Sequence, residues 1–352
     1  MDGTGGGRRA YIGSYTSAGG RGISTAAVDP DTGALTVLHH TDAVPDPSYL
    51  VPGPGAGMLY AVSETEDGRA AALSLADPDR PGPAGAQVSV GGAGPTHLTC
   101  AAGQLITANY TSGSISSLPL RPDGTLGAQP TVLPHHGCGP VRERQEGPHA
   151  HAVVADASWR WLLAVDLGAD SVWVYRLDHA GAAPRPHGRT PLRPGSGPRH
   201  LAFHPRGDRA YVINELDSTV TCCRWDRASG VLEPAGEVRT LPADAGGEAR
   251  ENYPSELVVS ADGRWAWAAN RGHDSIAVLA LEPDGDGMEL VTTVPCGGHW
   301  PRDLALDPAG RRLYAANERS GDVTWFDLDP DTGVPRRAGA VEAPAATCVV
   351  FG

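Results

Sequence analysis

Lysine is missing from the chain altogether. All 28 residues in its combined Lys and Arg count are arginine, which excludes a Schiff-base lysine, a P-loop lysine and pyridoxal chemistry. No uninterrupted apolar run approaches the ~18 residues of a membrane span. The opening stretch MDGTGGGRRAY has no apolar h-region, so no membrane partner and no secretory leader are expected. The net charge is −13, and no basic stripe is available to neutralise phosphates, which argues against a nucleic-acid partner. Cysteine is sparse: Cys100, Cys138, Cys222, Cys223, Cys296 and Cys348 show neither CxxC nor metal-type spacing. Adjacent Cys222 and Cys223 are expected on opposite faces of a strand. Scattered thiols in a chain this long read as free and reduced, with a cytoplasmic address.

Glycine and proline are plentiful. With 46 Gly and 31 Pro they make about 22% of the chain, just under the level of a disordered composition. They are placed as punctuation between short apolar runs, so they mark turns. A repeat runs through the whole length. Its second strands end in YIGS (Ser14), YAVS (Ser63), ITAN (Asn109), LAVD (Asp166), YVIN (Asn214), WAAN (Asn270) and YAAN (Asn317), at spacings of 49, 46, 57, 48, 56 and 47 residues. Alternating third strands follow, among them GISTAAVD, SVWVYRLD and DVTWFDLD, then turns such as DPDTGAL and RPDGTL whose Asp, Pro and Gly suit hairpins. No stretch reads as a capped amphipathic helix.

Four short antiparallel strands, repeated seven times, predict an all-β fold: a seven-bladed β-propeller occupying residues 1–352 as one domain. The ends support it. The first copy lacks a first strand, and the closing ATCVVFG resembles the first strands THLTCAAG and HLAFHP. Thr347–Phe351 is therefore expected to pair beside the N-terminal segment, closing the ring and removing its last free edge.

In such a blade, residues just before the first strand and just after the second share one rim of the central channel. That rule selects His149 and His151 (GPHAHAVV), Arg199 and His200 (GPRHLAF), Arg302 (WPRDLAL), Asp166, Glu215 (INELDS), Arg271 and His273 (NRGHDS) and Glu318 (NERSGD). The two long spacings place extra residues in LPHHGCGPVRERQEGPHAH and LPADAGGEARENYPSE, on the same face, where repeat folds commonly bind. Structural readings stand beside these. The repeating asparagines suit turns, Glu215 with Arg271 suits an inter-blade ion pair, His149 or His151 a core histidine, and Asp166 a turn brace. The RERQE run suits a solvated loop, and every tryptophan except Trp300 suits inter-blade packing. A metal site is disfavoured because arginines interleave the histidines, and no GxSxG elbow supports a serine nucleophile. Two guanidiniums beside a histidine and a carboxylate point to an anionic substrate and acid–base chemistry.

PHAHAVV with LLAVDLGADSVWVY, GPRHLAFHP with YVINELDSTV, and ELVVSADGRWAWAANRGHDSIAV resemble the seven-bladed propeller lactonase family. That family includes bacterial 6-phosphogluconolactonases and a fungal carboxy-muconate lactonising enzyme. The resemblance spans essentially the whole chain. It implies a catalytic set at His151, Arg199, Glu215 and Arg271; the rim rule adds His149, His200, Asp166, His273 and Arg302 as further substrate-binding candidates. It also implies metal-free, cofactor-free hydrolysis of 6-phosphoglucono-δ-lactone, a step of the pentose phosphate pathway. His151 or Glu215 would be the base, one arginine would hold the phosphate and another the oxyanion. A muconate-type lactonising enzyme, or a non-catalytic propeller binding a small anion, are the alternatives. A monomer or weak homodimer is expected. The sequence departs from the family where PRDL stands for the commoner PRHF, so the resemblance gives Asp303 no role; Ala157-Ser158 also replaces a usual Pro-Asp turn.

Overall fold

The computed structural model describes residues 8–55, 57–178, 181–243, 251–282 and 287–352. Among them the backbone forms seven antiparallel sheets, and the one helical element is a 3₁₀ turn at Thr16–Ala18. The second strands are nearly continuous apolar runs, such as Trp161–Asp166, Arg209–Asn214 and Trp265–Arg271, because both faces of each blade are covered by neighbours. Outer strands such as Ala182–Pro191 alternate or turn polar, since they face water.

The innermost strands, in ring order, are Ala346–Phe351, Leu50–Pro52, Pro95–Ala101, Ala150–Ala155, Pro198–Phe203, Tyr253–Val259 and Pro301–Leu306. Each touches the next, and the last touches the first. Closure is as expected: Ala346–Phe351 lies antiparallel to Arg9–Ser14, with Ala10 opposite Phe351 and Ile12 opposite Val349. Blade two departs from four clean strands. Its outer edge splits into Gly82–Pro83 and Val88–Ser89, both paired to Arg69–Ser74, because Pro81, Pro83 and Gly85 cannot sustain one ladder.

The core is divided rather than central. Seven apolar clusters each fill one cleft between neighbouring blades. Cys223 belongs to the cleft between blades four and five and Cys222 to the cleft between five and six, so the two thiols do face opposite ways. All six cysteines are free, and Cys138 alone of them is exposed. Trp161 and Trp267 bridge blades by donating indole N–H groups to Arg227 O (2.9 Å) and Gly333 O (2.7 Å). Trp159 does not follow: it is 51% exposed in a turn at φ 57°. The loop containing RERQE is solvated as expected at Arg142, Glu143 and Glu146, which are exposed, but not at Gln145. Gln145 is fully buried, its amide donating to Leu167 O (2.8 Å) and Asp170 Oδ1 (2.7 Å) and its Oε1 accepting from Val141 N (3.1 Å). The other long insertion, LPADAGGEARENYPSE, lies partly outside the described residues.

Candidate active site

A bulge recurs where the inner strands begin. In six blades the pairing to the second strand slips there, releasing Thr347, Thr96, His151, Arg199, Ser255 with Glu256, and Arg302 from the ladder. A bulge re-aims its side chain and bends the strand, so these six blades can each present a released residue to the channel. The partner positions follow the second strands: Tyr15, Glu64, Tyr110, Leu167, Glu215, Arg271 and Glu318. Buried asparagines hold that junction. Asn214 Nδ2 donates to Thr219 Oγ1 (2.8 Å) and Thr221 Oγ1 (2.9 Å), and Asn109 and Asn317 repeat the pattern on their own third strands.

At blades four to six these positions converge on Glu215. Arg271 Nη2 donates to Glu215 Oε2 at 2.5 Å, and Arg199 Nε lies 3.2 Å from the same oxygen. Arg144, from the RERQE loop, donates to Oε1. Burial pushes the carboxyl's pKa up, but Arg271, Arg199 and Arg144 outweigh it and hold the group at about 2. Glu215 is thus ionised throughout the physiological range and is a poor proton acceptor. Arg199 is fully enclosed. Burial, then Arg271 and Arg302, press its pKa down to about 9, which leaves it charged at neutral pH.

His151 completes the set. Its ring sits edge-on to Tyr110 at 5.5 Å and 5.2 Å from the His200 ring. Its Nδ1 is buried without a hydrogen-bond partner. Burial and the nearby Arg199 drive its pKa well below the usual value, so the imidazole is neutral. It is a proton acceptor with an uncommitted nitrogen.

One residue deeper along the inner strands lies a second charged group. His200 Nδ1 is 2.6 Å from Glu256 Oε2, and Glu256 shares a hydrogen bond with Asp303, whose Oδ2 accepts from Val349 N at 2.9 Å. Burial pushes Glu256 up to about 7 and Asp303 well above the carboxylate range; two carboxyls so close share a proton. They line a narrow cavity with Arg199, Arg302, Ser48 and Thr347.

The remaining candidates divide. Arg302 lies in the channel between Glu64 and Glu318, at 3.7 Å from each, with its guanidinium 5.1 Å above the Tyr15 ring. His149 stacks on Tyr110 at 4.5 Å, its Nδ1 2.9 Å from Tyr110 O. Asp166 is not brought to the pocket. It is fully buried beneath its turn, where Oδ1 accepts from His149 N and Ala169 N (both 2.9 Å) and Oδ2 contacts His135 Nδ1 (2.6 Å). The turn tolerates only glycine at 168, since a Cβ there would lie 1.9 Å from Gly147 O. His273 bonds to Ser275 Oγ of its own hairpin (2.7 Å). Sequence reasoning missed Arg144, Glu256 and Asp303. The unusual length of the third spacing was a signal for the first; PSE and PRD at the repeat position of PRH were signals for the others.

A family model described as "Lactonase, 7-bladed beta-propeller" matches residues 9–351. The chain is 32% identical over 346 residues to the 6-phosphogluconolactonase of Bacillus subtilis, covering 97% of each chain. It is 27% identical over 335 residues to the 6-phosphogluconolactonase of Formosa agariphila, covering 92% of this chain and 93% of that one. The solved structure of a periplasmic gluconolactonase from Pseudomonas aeruginosa superposes with a TM-score of 0.90 at 30% identity, covering 98% of both chains. The ring of seven blades, the arginine-bound glutamate in its channel and these matches place the chain in the seven-bladed β-propeller lactonase family.

Proposed function

We propose that the protein hydrolyses 6-phosphoglucono-δ-lactone, or a close sugar-lactone relative, to the corresponding open acid, using His151, Arg199, Glu215 and Arg271. The observation that carries this reading is a neutral histidine with a free nitrogen beside several guanidiniums gathered on one carboxylate. Of the two candidate bases, His151 is the better supported, because its Nδ1 has no hydrogen-bond partner whereas both Glu215 oxygens accept from guanidiniums.

In this mechanism His151 takes a proton from water as the water oxygen attacks the lactone carbonyl carbon. The carbonyl π electrons move onto oxygen, and a guanidinium receives the developing oxyanion. Such a donor is worth ~10²–10³ in rate. Collapse reforms the carbonyl and expels the ring oxygen, which takes the proton back from His151. Burial and neighbouring positive charge make the imidazolium a strong acid, so this return is downhill. Glu215 keeps Arg199 and Arg271 in place.

One chain contributes the whole set, so we propose that a monomer suffices, with a weak homodimer compatible. Free, mostly buried thiols support a reducing, cytoplasmic location, in contrast to the periplasmic relative. The test is a dehydrogenase-coupled assay of the purified protein. Lactone-dependent 6-phosphogluconate above the spontaneous rate is expected, and folded protein that adds nothing to that rate sinks the proposal. Muconates in the same screen test the lactonising alternative.

A further inference from the structure

We propose that Arg144, on the segment inserted between blades three and four, recognises the phosphate of the substrate and so sets specificity for phosphorylated over plain sugar lactones; this rests on the lactonase reading above. The seven blades fold without such a segment, as the short connection from Pro191 to Pro198 between blades four and five shows. Yet the insertion is well anchored. Gln145 is buried and bonded at both ends of its amide, Gly139 N donates to Gln145 O (3.1 Å), and Arg144 N donates to Val141 O (2.9 Å). His135, at its root, is sealed between Asp166 and the Trp173 ring, which it stacks on at 4.7 Å. A guanidinium carried on such a base is preorganised rather than tethered.

Arg144 is also the outermost cation of its cluster. Its side chain is 35% exposed, against 3% for Arg199 and 7% for Arg271. The inner two spend donors on backbone: Arg199 Nη1 on Ser255 O and Arg271 Nε on Tyr253 O. Among the described residues, both hydrogen bonds of Arg144, to Glu215 Oε1 and to Tyr110 Oη, run through Nη2. Nη1 and Nε are left for a ligand at the mouth, between the Tyr110 hydroxyl and the Tyr253 ring 5.8 Å away.

Charge points the same way. Among the described residues, three guanidiniums meet one carboxylate directly, an excess of positive charge at these contacts. The lactone ester is neutral and cannot balance it, whereas a phosphate carries about −1.5 to −2 at neutral pH. A guanidinium N–H gives such a group a strong charge-assisted hydrogen bond.

The test is calorimetric binding of 6-phosphogluconate and of gluconate to wild type, Arg144→Ala and Arg144→Lys, with thermal melts as a folding control. Wild type should prefer the phosphorylated acid. Arg144→Ala should lose that preference by roughly tenfold or more, as expected for one charge-assisted bond, leaving gluconate affinity unchanged. Arg144→Lys should restore part of it. Equal weakening of both acids assigns Arg144 to holding Glu215 and overturns the proposal. So does an intact preference in Arg144→Ala, or the absence of any preference in wild type. Because binding is read without turnover, failure of the lactonase assay is a separate result.

Discussion

Two clusters built from the same two residue types share this channel, with opposite stoichiometry. Around Glu215, three arginines crowd one carboxylate, the two ion contacts from Arg199 and Arg271 falling at 3.2 and 2.5 Å. Around Arg302, two carboxylates, Glu64 and Glu318, share one guanidinium at 3.7 Å each, with the Tyr15 ring beneath it. The first cluster has charge to spare for an anion. The second has its cation fully matched, and Arg302 is held more firmly protonated by Tyr15 and the two glutamates despite its burial. Arginine in a pocket is therefore not in itself a site for an anion; the ratio of cations to carboxylates decides.

The largest effects should separate the two clusters. Arg271→Ala is expected to lower kcat/KM by ~10²–10³, the usual cost of an oxyanion donor. Its melting temperature should hold nearly constant, because Glu215 keeps Arg199 and Arg144. Arg302→Ala should do the reverse, lowering the melting temperature by several degrees as two half-buried carboxylates lose their shared cation. If Arg271→Ala is the variant that melts early, the Glu215 cluster is structural and the contrast collapses.

Next in size is Glu215→Gln. The native pKa of about 2 lies below the ~4.3 of an unfolded glutamate. The carboxylate therefore contributes stability above that value, and the contribution fades as pH falls from there towards 2. Melting of the variant should fall below wild type at pH 7, and the gap should narrow below about pH 4. A gap unchanged by acid would mean that the three arginines do not stabilise this charge.

The smallest effect concerns the deeper pair. Native pKa values of Glu256 and Asp303 are raised, so the native state holds protons that the unfolded chain releases, and stability drains away as pH climbs from the carboxylate range through about 7. Asp303→Asn retains an acceptor for Val349 N–H and a donor for Glu256. It should be near neutral at pH 5 and should raise the melting temperature at pH 8, by a few degrees at most. Equal shifts at both pH values would show that no proton is shared among Glu256, Asp303 and the neighbouring His200, Arg199 and Tyr49.

How much was legible beforehand follows from what repeats. Seven copies of one pattern made the blades, the seam and the rim positions readable, because strand order and burial are dictated by local alternation. His151, Arg199, Glu215 and Arg271 lie at corresponding places in neighbouring copies, and ring geometry forces such places together. Arg144 was hidden because an insertion has no counterpart in the other copies; only folding shows that buried Gln145 turns its neighbour inward. Glu256 and Asp303 occupied rim positions in plain view, but each was a lone acid until adjacent blades set them side by side. Asp166 went the other way. Its place in the repeat was that of a rim residue, while its carboxylate is consumed by the turn beneath His149.

The bulges at the start of the inner strands have an engineering meaning. A residue expelled from the ladder carries no register, yet several tie one inner strand to the next: Thr96 Oγ1 donates to His151 O (3.1 Å), Arg199 Nη1 to Ser255 O and Ser255 Oγ to Pro301 O (2.6 Å). Its identity is thus coupled to the neighbouring blade through the channel wall. The ring behaves as a turret of seats that brace one another, in which a histidine, an arginine or a threonine stands at one position and its neighbour holds its backbone. New chemistry in this scaffold is then a matter of reseating adjacent side chains together, so that each replacement still meets the carbonyl of the next blade.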